Sequence, residues 1–280
     1  MEEFGGKVVL ITGASSGIGA ETALEFASSG ASLALVGRDE ERLEKSAQDC
    51  LAKGLSKEKV LTIKADMCIE DDVKRIMDST ITHFGKLDVL VNNAGLAKLD
   101  FLKSDEIMQN FDELLKINVR SAVQLTNLAV PHLIASKGCV VNMSSFAGKR
   151  VSSMSLSYNI TRAANDQFTR CCALDLASKG VRVNAVNPGA IETPLLTGFG
   201  VPVDQIEEVM GKLHPMGRVG QSSEVAKAIK FLASDAASFI TGETLSIDGG
   251  RHVACARKQC PHSSASAFRK GEEENRRIRR

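Results

Sequence analysis

The segment Thr12 to Gly19 reads TGASSGIG, with glycines at 13, 17 and 19. It follows an apolar run, KVVLIT, and opens a helical pattern. A turn of this kind aims backbone N–H groups and the positive end of a helix dipole at a diphosphate. Glycine is required where a Cβ would block the phosphate or the helix–strand contact. Gly13, Ser15, Ser16, Gly17, Ile18 and Gly19 are therefore candidate diphosphate contacts. The spacing is not the common G-x-G-x-x-G, and a glycine trio also serves in ordinary turns. Its place in the first strand–helix unit favours the phosphate reading. The second apolar run ends at Gly37, followed by Arg38 and Asp39. A carboxylate closing that strand would bond the adenosine ribose of NAD. Here the guanidinium of Arg38 suits a 2′-phosphate through charge-assisted, bidentate hydrogen bonds. NADP(H) is the expected cofactor and NAD(H) the second choice. The alternative, in which Arg38 starts a solvated loop and Asp39 takes the ribose, stays open.

The elements that must position these groups are legible as an alternation. Strands are predicted near Lys7–Thr12, Ser32–Gly37, Val60–Asp66, Leu87–Asn93, Gly138–Ser144, Val181–Asn187 and Glu243–Asp248. Helices are predicted over Gly17–Ser29, Glu40–Lys53, Ile69–Phe84, Asp105–Ser136, Tyr158–Ser178 and Ser222–Ala233. The strands are nearly all apolar, the pattern of parallel strands covered on both faces. Such alternation implies right-handed βαβ crossovers: an α/β fold with a three-layer, doubly wound parallel sheet of seven strands in a single domain. That domain is assigned to residues 1–257. Residues 258–280 lack apolar periodicity and form an expected disordered basic tail.

Of the 280 residues, 43% are hydrophobic and 25% charged, which excludes wholesale disorder or a rod. The net charge is +1, but the tail from Lys258 onward carries +4 and leaves the body at −3. The chain as a whole has no electrostatic footprint for nucleic acid. The closing RRIRR reads as a solvated end or a weak anionic-surface patch. No apolar run approaches the ~18–20 residues of a membrane span, and the N-terminus lacks a signal-peptide pattern. A cytoplasmic protein with reduced thiols is expected, and its 7 cysteines need no disulfide framework. Cys255, Cys260 and His262 match no zinc spacing, so no metal site is assigned.

Six motifs then occur in order: TGASSGIG, NNAG at Asn92 to Gly95, Asn118, Ser144-Ser145, Tyr158 and NPG-x-x-x-T at Asn187 to Thr193. Together they resemble the short-chain dehydrogenase/reductase family, over about residues 5 to 250. The C-terminal part is similar to 3-oxoacyl-carrier-protein reductases, and carbonyl reductases are also similar. The resemblance implies a Rossmann fold and NAD(P)-dependent hydride transfer at a carbonyl or secondary alcohol. It implies that Asn93, Ala94 and Gly95 pack beside the adenine ribose, and that Asp66 bonds the adenine amino group, with Met67 also a cofactor contact. Pro188, Gly189, Ile191 and Thr193 would orient the nicotinamide carboxamide. Ser145, selected over Ser144 by its step from the tyrosine, would bind the substrate oxygen. Asn118 would help hold a relay water.

Tyr158, the only tyrosine, would be the general acid/base and touch both cofactor and substrate. A free phenol has pKa ~10, so this role asks for a nearby cation. The family motif is Tyr-x-x-x-Lys, and here it reads Tyr158-Asn-Ile-Thr-Arg162. The i,i+4 spacing keeps both groups on one helical face. Arg162 keeps the charge and could hold ribose hydroxyls, but it cannot hand on a proton. Two readings follow: an active NADP(H)-dependent oxidoreductase, or an NADP(H)-binding pseudoenzyme that senses or scaffolds. The expected partner is a small carbonyl or alcohol, under an apolar lid that includes Leu195, Leu196, Phe199, Val201 and Val203, with Phe146 and Met154 opposite. A 3-oxoacyl thioester fits the same description. A homotetramer or homodimer is expected from relatives.

Overall fold

The computed structural model describes residues 3–153, 155–197 and 207–254. The expectations for the 258–280 tail, for Cys255, Cys260 and His262, and for Met154, Phe199, Val201 and Val203 lie outside these residues.

Seven parallel strands form one sheet: β1 (Val8–Thr12), β2 (Ser32–Gly37), β3 (Val60–Lys64), β4 (Val89–Asn92), β5 (Cys139–Met143), β6 (Arg182–Pro188) and β7 (Thr244–Ile247). Their order is β3-β2-β1-β4-β5-β6-β7, so the winding reverses between β1 and β4. Alternate residues of each strand feed two cores. Val9 and Ile11 pack with α1 (Gly17–Ala27), α2 (Glu40–Leu51) and α9 (Ser222–Ala233). Val8 and Leu10 belong to the opposite core, with α3 (Glu70–Phe84), α5 (Ser121–Ser136) and the far end of α7 (Leu156–Ala177). This is the predicted three-layer arrangement, and it explains why the strands carry no polar alternation.

The stretch predicted as one helix from Asp105 to Ser136 differs. It is α4 (Ile107–Leu115) and α5, joined by a π-turn at Lys116–Arg120. The cause is Asn118. Its side chain is bonded to both backbone groups of Leu96, and its carbonyl oxygen accepts from Asn165 Nδ2 at 2.9 Å. Those tertiary bonds hold an extra residue in the turn, a feature common at functional sites. Two short helices, α6 (Phe146–Lys149) and α8 (Pro194–Thr197), were below the reach of periodicity.

Buried amides tie the central strands to the helices behind them. Asn92 Nδ2 donates to Asn142 Oδ1 at 2.8 Å and to Thr126 Oγ1 at 2.9 Å. Asn142 Nδ2 donates in turn to Thr169 Oγ1 at 3.0 Å. This chain sets α7 against β5, and α7 carries Tyr158. Thr169→Val is nearly isosteric and strands the buried Asn142 amide, so it should cost about 1–3 kcal/mol in chemical denaturation. Thr80→Val removes a hydroxyl that bonds only within its own helix. It should cost clearly less.

Candidate active site

The glycine turn sits at the reversal point, where open α/β sheets bind ligands. Gly13 has φ +69° and Gly17 φ +55°, conformations that favour glycine. A Cβ at Gly13 would lie 2.8 Å from Asn93 Nδ2, and one at Gly17 3.1 Å from Thr193 Cγ2. Gly19 lies beneath the turn, where a Cβ would meet the Gly13 carbonyl at 2.1 Å. The third glycine therefore lets α1 approach β1, and the first two keep the cradle open. The glycine-rich turn at the start of α1 fits the diphosphate of a nicotinamide dinucleotide.

A cleft of about 690 Å³ opens above this turn. Of the residues predicted as catalytic or cofactor contacts, all but Gly19, Asp66 and Asn118 line it. Asp66 Oδ1 accepts from Cys68 N at 2.9 Å, and the wall there is formed by its neighbours Ala65 and Met67. Asn118 Oδ1 accepts from Leu96 N at 2.8 Å, and its Nδ2 donates to Leu96 O and Thr161 Oγ1. Its side chain fixes the Gly95–Leu96 loop and has no amide hydrogen left for a water.

At the adenosine end, Gly37 leaves space against Ser15, with any Cβ meeting that side chain at 3.1 Å. Arg38 is exposed and lines the cleft. Asp39 lines the cleft beside it and is bonded to α2. It caps α2 by accepting from Arg42 N at 3.0 Å, and it pairs with Arg42 Nε at 2.6 Å. Those bonds hold its carboxyl below the usual range. Arg42 also lines the cleft and brings a second guanidinium that motif reading missed.

At the other end, Ser145, Tyr158 and Arg162 converge. Ser144 Oγ donates to the Arg162 carbonyl at 3.1 Å, tying β5 to α7. Ser145 caps α6, its Oγ accepting from Ala147 N at 3.2 Å, and among the described residues its hydroxyl hydrogen has no acceptor. Asn187 Nδ2 holds the Ser145 carbonyl at 2.9 Å and the buried Asp166 carboxyl at 3.0 Å. Burial pushes that carboxyl pKa up. Arg162 is 2% exposed. Its Nη1 donates to Met143 O at 2.9 Å, and its guanidinium carbon lies 4.8 Å from the Tyr158 ring centroid. A Cβ on Gly95 would meet Arg162 Nη2 at 2.7 Å, so this glycine admits the larger cation.

A family profile described as enoyl-(acyl carrier protein) reductase matches residues 13–252. L-fucose dehydrogenase of Bos taurus is 37% identical over 273 residues, 94% of this chain and 96% of that protein. The chain is a short-chain dehydrogenase/reductase. Among solved structures, a short-chain dehydrogenase/reductase of unknown function from Caenorhabditis elegans with cofactor has a TM-score of 0.86. It is 38% identical, covering 91% of this chain and 98% of that one. The 3-ketoacyl-(acyl-carrier-protein) reductase of Brucella melitensis complexed with NADH has a TM-score of 0.81 at 34% identity, covering 89% and 99%. As a short-chain dehydrogenase/reductase the chain has a nicotinamide-dinucleotide-binding fold and belongs to a family of oxidoreductases. Among its described residues no helix is long and apolar enough to cross a membrane.

This short-chain dehydrogenase/reductase also uses a residue that its sequence did not flag. His214 Nε2 accepts from Ala190 N at 3.1 Å, so Nδ1 carries the proton and donates to Met210 O at 2.9 Å. The imidazole thus braces the Pro188–Thr193 loop against the segment that follows it. A Cβ at Gly189 would meet His214 Nε2 at 2.5 Å. Burial holds the imidazole pKa below its ordinary 6.5, with nearby Arg251 acting the same way and Asp248 opposing. The folded state therefore resists protonation. The stability it contributes is present above pH 6.5 and is lost as pH falls through the lowered folded value. His214→Gln keeps an acceptor and a donor but does not titrate. It should flatten the decline in denaturation midpoint below that pH, read from urea titrations at a series of pH values.

Proposed function

We propose that the chain is an NADP(H)-dependent oxidoreductase that interconverts a carbonyl and a secondary alcohol on a small, largely apolar substrate. The observation that carries this reading is convergence: the glycine turn, Arg38, Ser145 and Tyr158 all line one cleft. The cofactor, when bound, supplies or accepts the hydride. The chain's own residues manage the oxygen and the proton. In the reductive direction the carbonyl carbon gains a hydride and its oxygen gains a proton from the Tyr158 hydroxyl. Ser145 donates its hydroxyl hydrogen to that oxygen, stabilising charge as it develops. Arg162 lies against the Tyr158 ring, where a cation–π contact orients the phenol. Arg38 and Arg42 line the adenosine end and would hold a 2′-phosphate, and Asp39, which lines it too, is bonded to Arg42. Exposed Ile160 and Leu174 on α7 and Phe239 before β7 support assembly through the long helices and last strands, as a homodimer or homotetramer.

A second reading, nucleotide binding without turnover, has one observation in its favour. Arg162, which stands beside the Tyr158 ring, cannot release a proton.

Calorimetry should show NADPH binding at least tenfold tighter than NADH, about 1.4 kcal/mol. Arg38→Glu should reverse the order, and equal affinities would remove the 2′-phosphate assignment. Turnover is read from loss of NADPH absorbance with diketones, quinones, steroids and 3-oxoacyl thioesters. Activity that Tyr158→Phe abolishes supports the enzyme, and Arg162→Lys should raise it while changing NADPH affinity only modestly. Tight NADPH binding with turnover only after Arg162→Lys supports the second reading. Wild-type activity that falls on Arg162→Lys means the site is built around the guanidinium.

A further inference from the structure

We infer that Arg251 is a specificity residue and that the substrate carries a carboxylate. This rests on reading the cleft as an oxidoreductase site. The substrate end of the cleft is apolar, with Leu99, Phe146, Leu195, Leu196 and Leu213 in its wall, yet Arg251 lines it too. The Arg251 guanidinium carbon lies 3.8 Å from the centroid of Phe146, the residue that directly follows Ser145. Arg251 therefore shares a wall with the serine that faces the reacting oxygen.

The guanidinium has five N–H donors. Among the described residues it forms no side-chain hydrogen bond and no ion pair, and the ring of Phe146 is its contact. Asp248, the carboxylate whose charge acts on it, is engaged with other donors. Asp248 Oδ1 accepts from Gly250 N at 3.1 Å and Oδ2 from His252 N at 2.7 Å, and both oxygens face His252 Nδ1. Burial lowers the Arg251 pKa, the mark of a partly dehydrated cation, and the group stays charged. The segment carrying it is fixed. Arg150 Nη1 donates to the carbonyls of His252 and Ala254 at 3.0 and 2.7 Å, and Arg251 N donates to Asp248 O at 2.9 Å. Dehydrating a cation is costly, and the Asp248 carboxylate offsets part of that cost by its charge without bonding the guanidinium. A held, partly dry guanidinium with unused donors is a preorganised carboxylate fork. The substrate class that satisfies both this fork and the apolar wall is an oxo or hydroxy acid with an apolar spacer between its two polar ends. The carboxylate takes no part in the hydride and proton transfers.

The test uses the full chain. The 2-, 3- and 4-acetylbenzoates and their methyl esters serve as substrates with NADPH, while 4-isopropylbenzoate and its amide serve as unreactive ligands for calorimetry on the NADPH complex. At least one acid should exceed its ester in kcat/KM by roughly 10- to 100-fold, the range of a charged hydrogen bond. The isopropyl acid should bind correspondingly tighter than the amide. Arg251→Met should erase both differences and Arg251→Lys should restore part of them, with NADPH affinity reporting that each variant is folded. Equal handling of acids and neutral partners overturns the inference, as does a preference that survives Arg251→Met or a neutral 3-oxoacyl thioester that outpaces every acid. If no compound turns over but Arg251 still discriminates acid from amide in binding, the carboxylate site stands and the proposed activity fails.

Discussion

The site depends on one knot of hydrogen bonds at the point where the sheet reverses its winding. Thr12 Oγ1 accepts from the backbone N–H groups of Asn93 and Ala94, both at 3.0 Å. Asn93 Nδ2 returns hydrogen bonds to the carbonyls of Thr12 and Gly13 at 2.8 and 3.2 Å. These bonds lock the ends of β1 and β4 together just as the two chains diverge, one into the glycine turn and the other into the loop over α7. The crevice between them is the cleft. It is open at the turn because glycine stands at positions 17 and 37, where a Cβ would crowd Thr193 and Ser15.

Helix α7 translates that crevice into chemistry. Tyr158, Arg162, Asn165, Asp166 and Thr169 lie at helical spacing and are all buried. A polar stripe of this kind would be destabilising without partners, and each member has one. Arg162 reaches Met143 O, Asn165 the Asn118 carbonyl, Asp166 the Asn187 amide, and Thr169 the Asn142 amide. The stripe thus fastens α7 to β5, to β6 and to the π-turn that carries Asn118. The phenol and Ser145 line the same cleft because two strands and a helix joint are bonded to the same face of one helix.

Arginine in place of the family's lysine fits this network sterically, with Gly95 providing the room. It changes the chemistry more than the architecture. The charge stays beside the Tyr158 ring, and the ability to release a proton is gone.

The local patterns of the chain determined most of the fold. Seven apolar runs and the helical stretches between them dictate a doubly wound parallel sheet, because only a sheet covered on both faces buries such strands. The glycine turn was legible for the same reason: a positive φ and a forbidden Cβ select glycine in the sequence itself. Arg38 and Tyr158 were visible as residue types at motif positions. Other features belong to the tertiary structure alone. The π-turn at Asn118 follows from bonds to residues 22 and 47 positions away, which periodicity does not contain. Asp66 turned to Cys68, and Asp39 to Arg42, through backbone geometry that composition does not express. His214 and Arg251 stand in stretches with no motif. They gain meaning only because the chain returns, after β6 and again after β7, to the mouth of the cleft, where a histidine can brace a loop and an arginine is left with an aromatic ring and open donors.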